Sequence, residues 1–416
     1  MPRILPDIEP LRVSRDYRLL WSGQLISQAG SAVRLVAIPY QIYLLTQSSF
    51  AVGLIGLFSA IPLILLSLFG GVIADRVDRR RLLLVTQTCL CATSLALAVS
   101  TQLGFVSVPL LYALTAIGAG FGALDGPARA AVAPTLVERR LIPSVAALNQ
   151  TLWRVGSIVG PALAGVVIGV LGLSAAYWLD AATFLAAILA IAVMHVPAIE
   201  TTEAPAHPLR ALTDGVRFVL ARPLLLSTMA VDFFAMFFGI ARALMPYYAD
   251  RVFHVGPEGL GLLYAAPGIG ATVMVLMSGW TKDVERKGLG VLASVVVFGV
   301  AMALFGVVGP SGFLVGCLLL AIGEGADTVS TIFRWTILQM ETPDAYRGRL
   351  ASINFVFVAG GPQLGQVESG LVADLFTPEI SVVTGGLACV AVAFVAGSLV
   401  PQLVRYRSEE PVSSAA

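Results

Sequence analysis

The stretch "AVGLIGLFSAIPLILLSLFG" (51–70) runs for twenty residues without one ionisable side chain. About 20 mostly apolar residues are what an α-helix needs to cross the hydrocarbon core of a bilayer. Comparable runs recur at 19–45, 51–75, 82–102, 105–129, 143–170, 173–196, 224–249, 258–281, 289–308, 312–338, 349–374 and 379–402. Lipid offers no hydrogen bonds to a bare backbone, so each run must close its own bonds as a helix. The sequence therefore predicts an all-α polytopic membrane protein with twelve transmembrane helices. Composition agrees. The 416 residues are 57% hydrophobic and 12% charged, about half the roughly 25% charged residues of a soluble domain.

The connections between the runs differ in charge. One set holds Arg76, Arg79, Arg80, Arg81, Arg139, Arg140, Arg210, Arg217, Arg222, Lys282, Arg286, Lys287, Arg347 and Arg349, together with the arginines of both termini. The other set holds Arg251 alone. Cytoplasmic loops collect Lys and Arg, which places both termini in the cytoplasm and the chain in the cytoplasmic (inner) membrane. Residues 1–18 are polar and lead directly into the first run, unlike a cleavable signal. A net charge of +1 supplies no concentrated basic face, so no nucleic-acid partner is expected. Cys89, Cys91, Cys317 and Cys389 lie inside apolar runs and read as small packing residues, with no metal site.

The two halves of the chain repeat. Arg34 and Arg242 are 208 positions apart, and the same offset relates Gln24 to Asp232, Gly71 to Gly279 and Asp75 to Asp283. Farther on, 205 relates Gly118 to Gly323, Arg129 to Arg334, Asn149 to Asn354 and Gly165 to Gly370. An ordered series at a nearly constant offset implies two pseudo-symmetric six-helix halves, 1–196 and 224–403. A cytoplasmic linker, 197–223, joins them, and 404–416 reads as a disordered tail. Within the linker Leu209, Leu212, Val216 and Val219 recur at helical spacing, as in a helix lying on the membrane surface or an ordinary linker helix. Parallel repeats of this kind place a substrate site between the halves, near the midplane.

Two motifs sharpen the reading. "GGVIADRVDRRRLLL" (70–84) sets Gly71, Asp75, Arg76, Arg79, Arg80 and Arg81 on the turn between spans two and three. "GWTKDVERK" (279–287) is a worn copy that includes Gly279, Asp283, Arg286 and Lys287. The arginines alone would serve to orient the loop and bind anionic headgroups, but orientation does not need Asp75. The loop resembles the signature of the major facilitator superfamily, with Asp78 where that pattern usually has glycine. The resemblance implies the major facilitator fold. It also implies a cytoplasmic gate in which Asp75 pairs with arginines of its own half and with the start of span eleven, near 347–350. The second motif is "GSIVGPALAG" in span five, with Gly156, Gly160, Pro161, Ala164 and Gly165. Small residues at four-residue spacing serve helix packing in any membrane protein. A glycine-proline followed by small residues in span five also resembles the antiporter motif of exporters. Gly360, Gly361, Pro362 and Gly365 echo it in span eleven.

"SRDYRLLWSGQLISQAGSAVRLVAIPY" (14–40), "DGPARAAVAPTLV" (125–137) and "ALNQTLWRVGSIVGPALAG" (147–165) are similar to the enterobactin-exporter branch of the superfamily. This branch and its drug-extruding relatives, associated with multidrug resistance, imply a monomer that exchanges bulky natural products for protons. The expected partners are then a small-molecule substrate, protons and the bilayer. No cofactor is expected, and the proton gradient is the driving force.

Charges inside a membrane cost about 2.5–3.5 kcal/mol each on insertion scales and mark a cavity or a partner. Arg34, Asp125, Asp180, Asp232, Arg242, Glu324, Asp327, Arg334 and Glu368 fall within the runs. By the resemblance, spans one, four, seven and ten line the central cavity. Those spans carry Arg34, Asp125, Asp232, Arg242, Glu324, Asp327 and Arg334 as substrate or proton-coupling candidates. Glu324 and Asp327, three apart, share a helix face. Asp125 stands four before Arg129, in pairing register. Arg34 and Arg242, matched by the repeat, read either as flanking the cavity or as symmetric packing contacts. Trp335, Phe333, Phe233, Phe234, Phe237 and Tyr40 are nearby rings that suit an aromatic cargo.

No nucleophile elbow, phosphate-binding glycine loop or cofactor motif is present, so an enzyme is not expected. The reading is a proton-coupled secondary transporter that exports a hydrophobic or siderophore-like molecule by alternating access. Proton-coupled uptake of a small solute, and a non-transporting receptor or scramblase on the same scaffold, are the alternatives.

Overall fold

The computed structural model describes residues 7–196, 217–343 and 346–407, with the side chains of 68–76, 348, 349 and 352 excepted. Nine helices among the described residues are long and apolar enough to cross a membrane. One of these, Ile142–Val193, is two spans, because Gly172 breaks it with φ 84° and ψ 172°, a left-handed turn that only glycine adopts freely. Arg15–Thr46 and Arg347–Leu375 are also long enough, at 32 and 29 residues. The helices then match the twelve expected spans one for one. In chain order they are α1 (Arg15–Thr46), α2 (Ser49–Arg76), α3 (Arg79–Gln102), α4 (Val108–Val132), α5 (142–171), α6 (173–193), α7 (Pro223–Gly239), α8 (Gly256–Met277), α9 (Lys287–Gly306), α10 (Phe313–Met340), α11 (Arg347–Leu375) and α12 (Pro378–Leu399).

Local chemistry sets the helix ends. Ser14 opens α1 by accepting from the Tyr17 amide at 3.1 Å, and Gln47 closes it in the left-handed conformation, φ 52°. Asp78 opens α3: its carboxylate accepts from the Arg81 amide at 2.8 Å, satisfying one of the free N–H groups of the first turn. The backbone of Asp78 has φ −53° and ψ 117°, ordinary for any residue. An aspartate therefore replaces the glycine of the signature without strain. Asp78→Ala is expected to cost about 1 kcal/mol and Asp78→Gly only a few tenths. Thermal midpoints of the two variants in detergent would check that order.

The chain forms two compact units. The first comprises Met1–Gln47, Leu57–Ala204 and Val255–Ala265; the second comprises Ser48–Gly56, Pro205–His254 and Ala266–Ala416. In the first, Gly156 and Gly160 of α5 lie on α1, where added Cβ atoms would meet Gln28 and Ala32. Gly165 lies on the start of α8, with Pro257 O only 2.7 Å from the place of a Cβ. The second unit repeats this at the same 205 offset. Gly361 and Gly365 lie on α7, where added Cβ atoms would come within 3.0 Å of Phe233 O and 2.5 Å of Phe237 O, and one at Gly370 would come within 2.6 Å of Ser49 O. The span-five motif is thus a packing seam with two faces, and span eleven carries its counterpart.

Apolar cores fill each unit. Tyr17, Leu20, Leu82, Leu83, Val132, Leu148 and Ile191 cluster in the first, and Val231, Val291, Val295, Phe333 and Ile337 in the second. The four cysteines are unbridged. The linker helix expected around 209–219 falls mostly outside the described residues.

One helix departs from expectation. The sequence predicts a continuous span over 224–249, whereas α7 ends at Gly239 and Ile240 is extended (φ −85°, ψ 119°). A 3-10 turn, Arg242–Leu244, and a π-turn, Tyr248–Val252, then carry the chain on. Pro246 explains part of the break, since it has no N–H to return to the Arg242 carbonyl. The helix end is packed closely at Gly239, where a side chain would collide with Phe298 of α9 and Cys389 of α12.

Candidate substrate and coupling site

The second unit contains a cavity of about 270 Å³ at the α7 break. Its walls bring together Asp232 and Arg242 beside the break with Glu324, Asp327 and Arg334 of α10. Arg334 Nη2 lies 2.7 Å from Asp232 Oδ1 and 3.5 Å from Asp327 Oδ1, and it donates to Thr331 Oγ1 at 2.8 Å. Arg334 is 6% exposed and Asp232 5% exposed. In such a place a pair survives only if attraction and hydrogen bonds offset desolvation of both ions. Asp327 and Thr331 supply that extra bonding from seven and three residues earlier on the same helix.

The remaining wall is soft and apolar, with Met236, Met245, Met302, Phe298 and Trp335, plus the polar Thr228 and Asn354. Of the rings picked out from the sequence, only Trp335 lines the cavity. Phe333 is buried in the core against Trp280. Phe233 and Phe237 stack on each other at 6.0 Å, and Phe233 meets Phe357 of α11. These phenylalanines hold helices together. Sequence reasoning missed Met236, Met302 and Phe298, which carry no signal separating a cavity wall from a lipid face, and it named Asn354 only as the repeat match of Asn149. The signal that did find the cavity was the set of charges inside spans seven and ten: Asp232, Arg242, Glu324, Asp327 and Arg334 all line it.

The first-unit candidates form two separate clusters. Arg34 Nε lies 3.4 Å from Asp180 Oδ2, and Ser94 Oγ donates to the same oxygen at 2.6 Å. Arg34 also reaches Thr93 Oγ1 at 3.4 Å and stands over the Phe184 ring. Asp125 accepts from Arg129 Nε at 2.5 Å, from Thr86 Oγ1 at 2.7 Å and from Gln87 Nε2 at 2.8 Å. The repeat-matched arginines thus differ: Arg34 is tied into an ion pair with α6, while Arg242 lines a cavity.

The loop motif divides. Arg79 Nη1 donates to Ala131 O at 3.2 Å, and Arg80 donates to Ile191 O at 3.2 Å and Ala192 O at 2.5 Å. Both cations sit at helix C-termini, where orphan carbonyls and the helix dipole favour positive charge. Gly71, Asp75 and Arg76 belong to α2, and their side chains lie outside the described residues. Asp283 closes a 3-10 turn, Ser278–Asp283. Gly156, Gly160, Pro161 and Gly165 form the packing seam described above.

The family model for transmembrane secretion effectors matches residues 7–416. The chain belongs to this family. Its relatives include the enterobactin exporter EntS of Citrobacter koseri, 29% identical over 414 residues, covering 99% of this chain and 98% of that one. EntS of Shigella boydii is 28% identical over 409 residues, covering 98% and 97%. Among solved structures, the nucleoside transporter NupG aligns at a TM-score of 0.73 with 14% identity, over 94% of this chain and 100% of that one. A D-xylose–proton symporter aligns at 0.70 with 16% identity, over 93% and 98%. At such identities the likeness fixes the fold, which is the major facilitator fold. This secretion effector is a multi-pass membrane transporter and not an enzyme.

Proposed function

We propose that this protein is a proton-coupled exporter of a hydrophobic or siderophore-like small molecule, working by alternating access as a monomer in the inner membrane with both termini cytoplasmic. One observation carries the reading: a buried arginine bound to two carboxylates opens on a cavity that Glu324 and Arg242 also line. Three carboxylates, Asp232, Glu324 and Asp327, face two guanidinium groups, Arg242 and Arg334. Such a set is electrically neutral with one proton bound, and a low-dielectric site disfavours net charge. Cargo that changes the charge or bonding at Arg334 changes which carboxylate needs that proton, and this links the two binding events. The soft methionine and aromatic wall suits an apolar body of variable shape. The relatives named as enterobactin exporters support the direction of transport and the siderophore-like class. Asp75 and its loop are assigned the cytoplasmic gate on the superfamily resemblance.

Inside-out vesicles containing the protein would test this. With a pH gradient imposed, acid inside, they should accumulate a catecholate siderophore above the level of vesicles without the protein. Accumulation that ignores the gradient would contradict proton coupling, and none with siderophores, macrolides or hydrophobic cations would contradict export.

A further inference from the structure

α2 starts on a cap that another helix supplies. Its first turn carries no acidic residue of its own, yet its three leading amides all have acceptors. Asp374, at the end of α11, accepts through Oδ1 from the Ser49 amide at 3.0 Å and the Phe50 amide at 3.2 Å. Its Oδ2 accepts from Ser48 Oγ at 2.5 Å, and Ser48 Oγ accepts in turn from the Ala51 amide at 3.0 Å. A helix start leaves its first N–H groups without partners and favours negative charge. Farther along, the two helices meet backbone to backbone. A Cβ at Gly370 would come within 2.6 Å of Ser49 O, one at Gly53 would strike Gln366 O, and one at Gly56 would strike Gln363 O. All these residues belong to the second unit, which takes in Ser48–Gly56.

The repeat provides an internal control. In the first unit the start of α8 lies on α5, where Cβ atoms at Gly261 and Gly165 would come within 2.6 Å of Pro161 O and 2.7 Å of Pro257 O. Offsets of 208 and 205 match these two glycines to Gly53 and Gly370. The polar tie does not repeat. The counterpart of Asp374 is Gly169, and α8 has an acid in its own first turn, Glu258. This fold therefore makes such a crossing without a carboxylate from the facing helix, and Asp374 is an addition to it.

We propose that Asp374 is a releasable clasp that sets how readily the first turns of α2 leave α11. Glycines on α2 leave few side chains to interlock along the seam. Asp374 is exposed, so water takes over each of its hydrogen bonds as it breaks. The clasp is thus a joint that opens and recloses at the end of the bundle away from the chain termini. It rests on the alternating-access reading and adds to it a one-sided control: the second unit's crossing is clasped and the first unit's is packed only.

A thiol at Gln366 reports the opening. A Cβ at Gly56 would lie 3.2 Å from Gln366 Cβ, so Gln366→Cys is covered while the seam is closed. It stands eight residues before Asp374, about 12 Å along the helix, so fraying of one turn does not expose it. Labelling by a membrane-impermeant maleimide is followed on the full chain in lipid nanodiscs, with the chain lacking Gln366→Cys as the blank for the four native cysteines. Asp374→Ala should speed labelling tenfold or more, the worth of a hydrogen bond to a charged acceptor. Asp374→Asn, whose amide oxygen still accepts from backbone N–H groups, should fall between Asp374→Ala and the native residue. Glu258→Ala should leave the rate unchanged. Hydrogen exchange of 48–56, which needs no reporter thiol, should accelerate in Asp374→Ala as well. Labelling that Asp374→Ala does not speed would overturn the clasp, and so would equal acceleration by Glu258→Ala, which would show general loosening. The assay uses neither cargo nor protons, so failure of the clasp is distinguishable from failure of the transport reading.

Discussion

Arg334→Met should be the most damaging single substitution in the charged set. It leaves Asp232 and Asp327 without the cation that both contact, at 2.7 and 3.5 Å. Removing one member of a buried ion pair typically costs about 3–5 kcal/mol, because the other charge stays buried and uncompensated. That is a large share of the roughly 5–15 kcal/mol by which domains are stable. The expected result is a large fall in the midpoint of denaturation in mixed micelles, with transport abolished. Adding Asp232→Asn to Arg334→Met should recover more than half of the lost stability, since a neutral amide no longer demands a counter-charge, and should recover no transport. The non-additivity of the two changes measures the pair directly. A cost under about 1 kcal/mol for Arg334→Met alone would mean that the arginine is hydrated and the pair weak.

The second large effect lies in the packing seam. A valine at Gly365 would press its Cβ to within 2.5 Å of Phe237 O and 2.7 Å of Met236 O. These are backbone atoms, and a helix must move to relieve them. A valine at Gly160 meets the Cβ of Ala32 on α1, which has no rotatable bond to swing aside, so a helix must move there too. Overpacking costs about 1–3 kcal/mol and more where the backbone must move, so Gly365→Val and Gly160→Val should both destabilise the chain at least that much. Gly122→Ala meets nothing within 4 Å and should be neutral. Denaturation midpoints of the three variants, measured side by side, would check the order. A neutral Gly365→Val would contradict the close approach of α11 to α7.

Much of the architecture was legible because lipid leaves few choices. A run of twenty uncharged residues has one way to satisfy its backbone, and the 205 offset between Gly165 and Gly370 reappears as the same contact in each unit. The Asp125–Arg129 register was equally readable, as four residues on a helix make neighbours. The break in α7 was hidden, because glycine and proline are common inside membrane helices and neither alone announces an interruption. The pairing of Arg34 with Asp180 was not legible. Two opposite charges buried in different spans are a pairing signal, yet sequence carries no distance between α1 and α6. The place of the α7 phenylalanines was hidden for the same reason. An apolar ring suits a neighbouring helix, a ligand and lipid alike, and only the fold assigns Phe233 to Phe357.

The central claim is that the Asp232–Arg334 pair couples cargo to protons. The most direct measurement is proton flux in proteoliposomes carrying an internal pH dye, with a catecholate siderophore added from outside under an imposed pH gradient. The account predicts siderophore-dependent proton movement by the native chain and its loss in Asp232→Asn, with siderophore binding retained by the variant. Siderophore movement without proton flux, or an Asp232→Asn variant that couples as the native protein does, would contradict it.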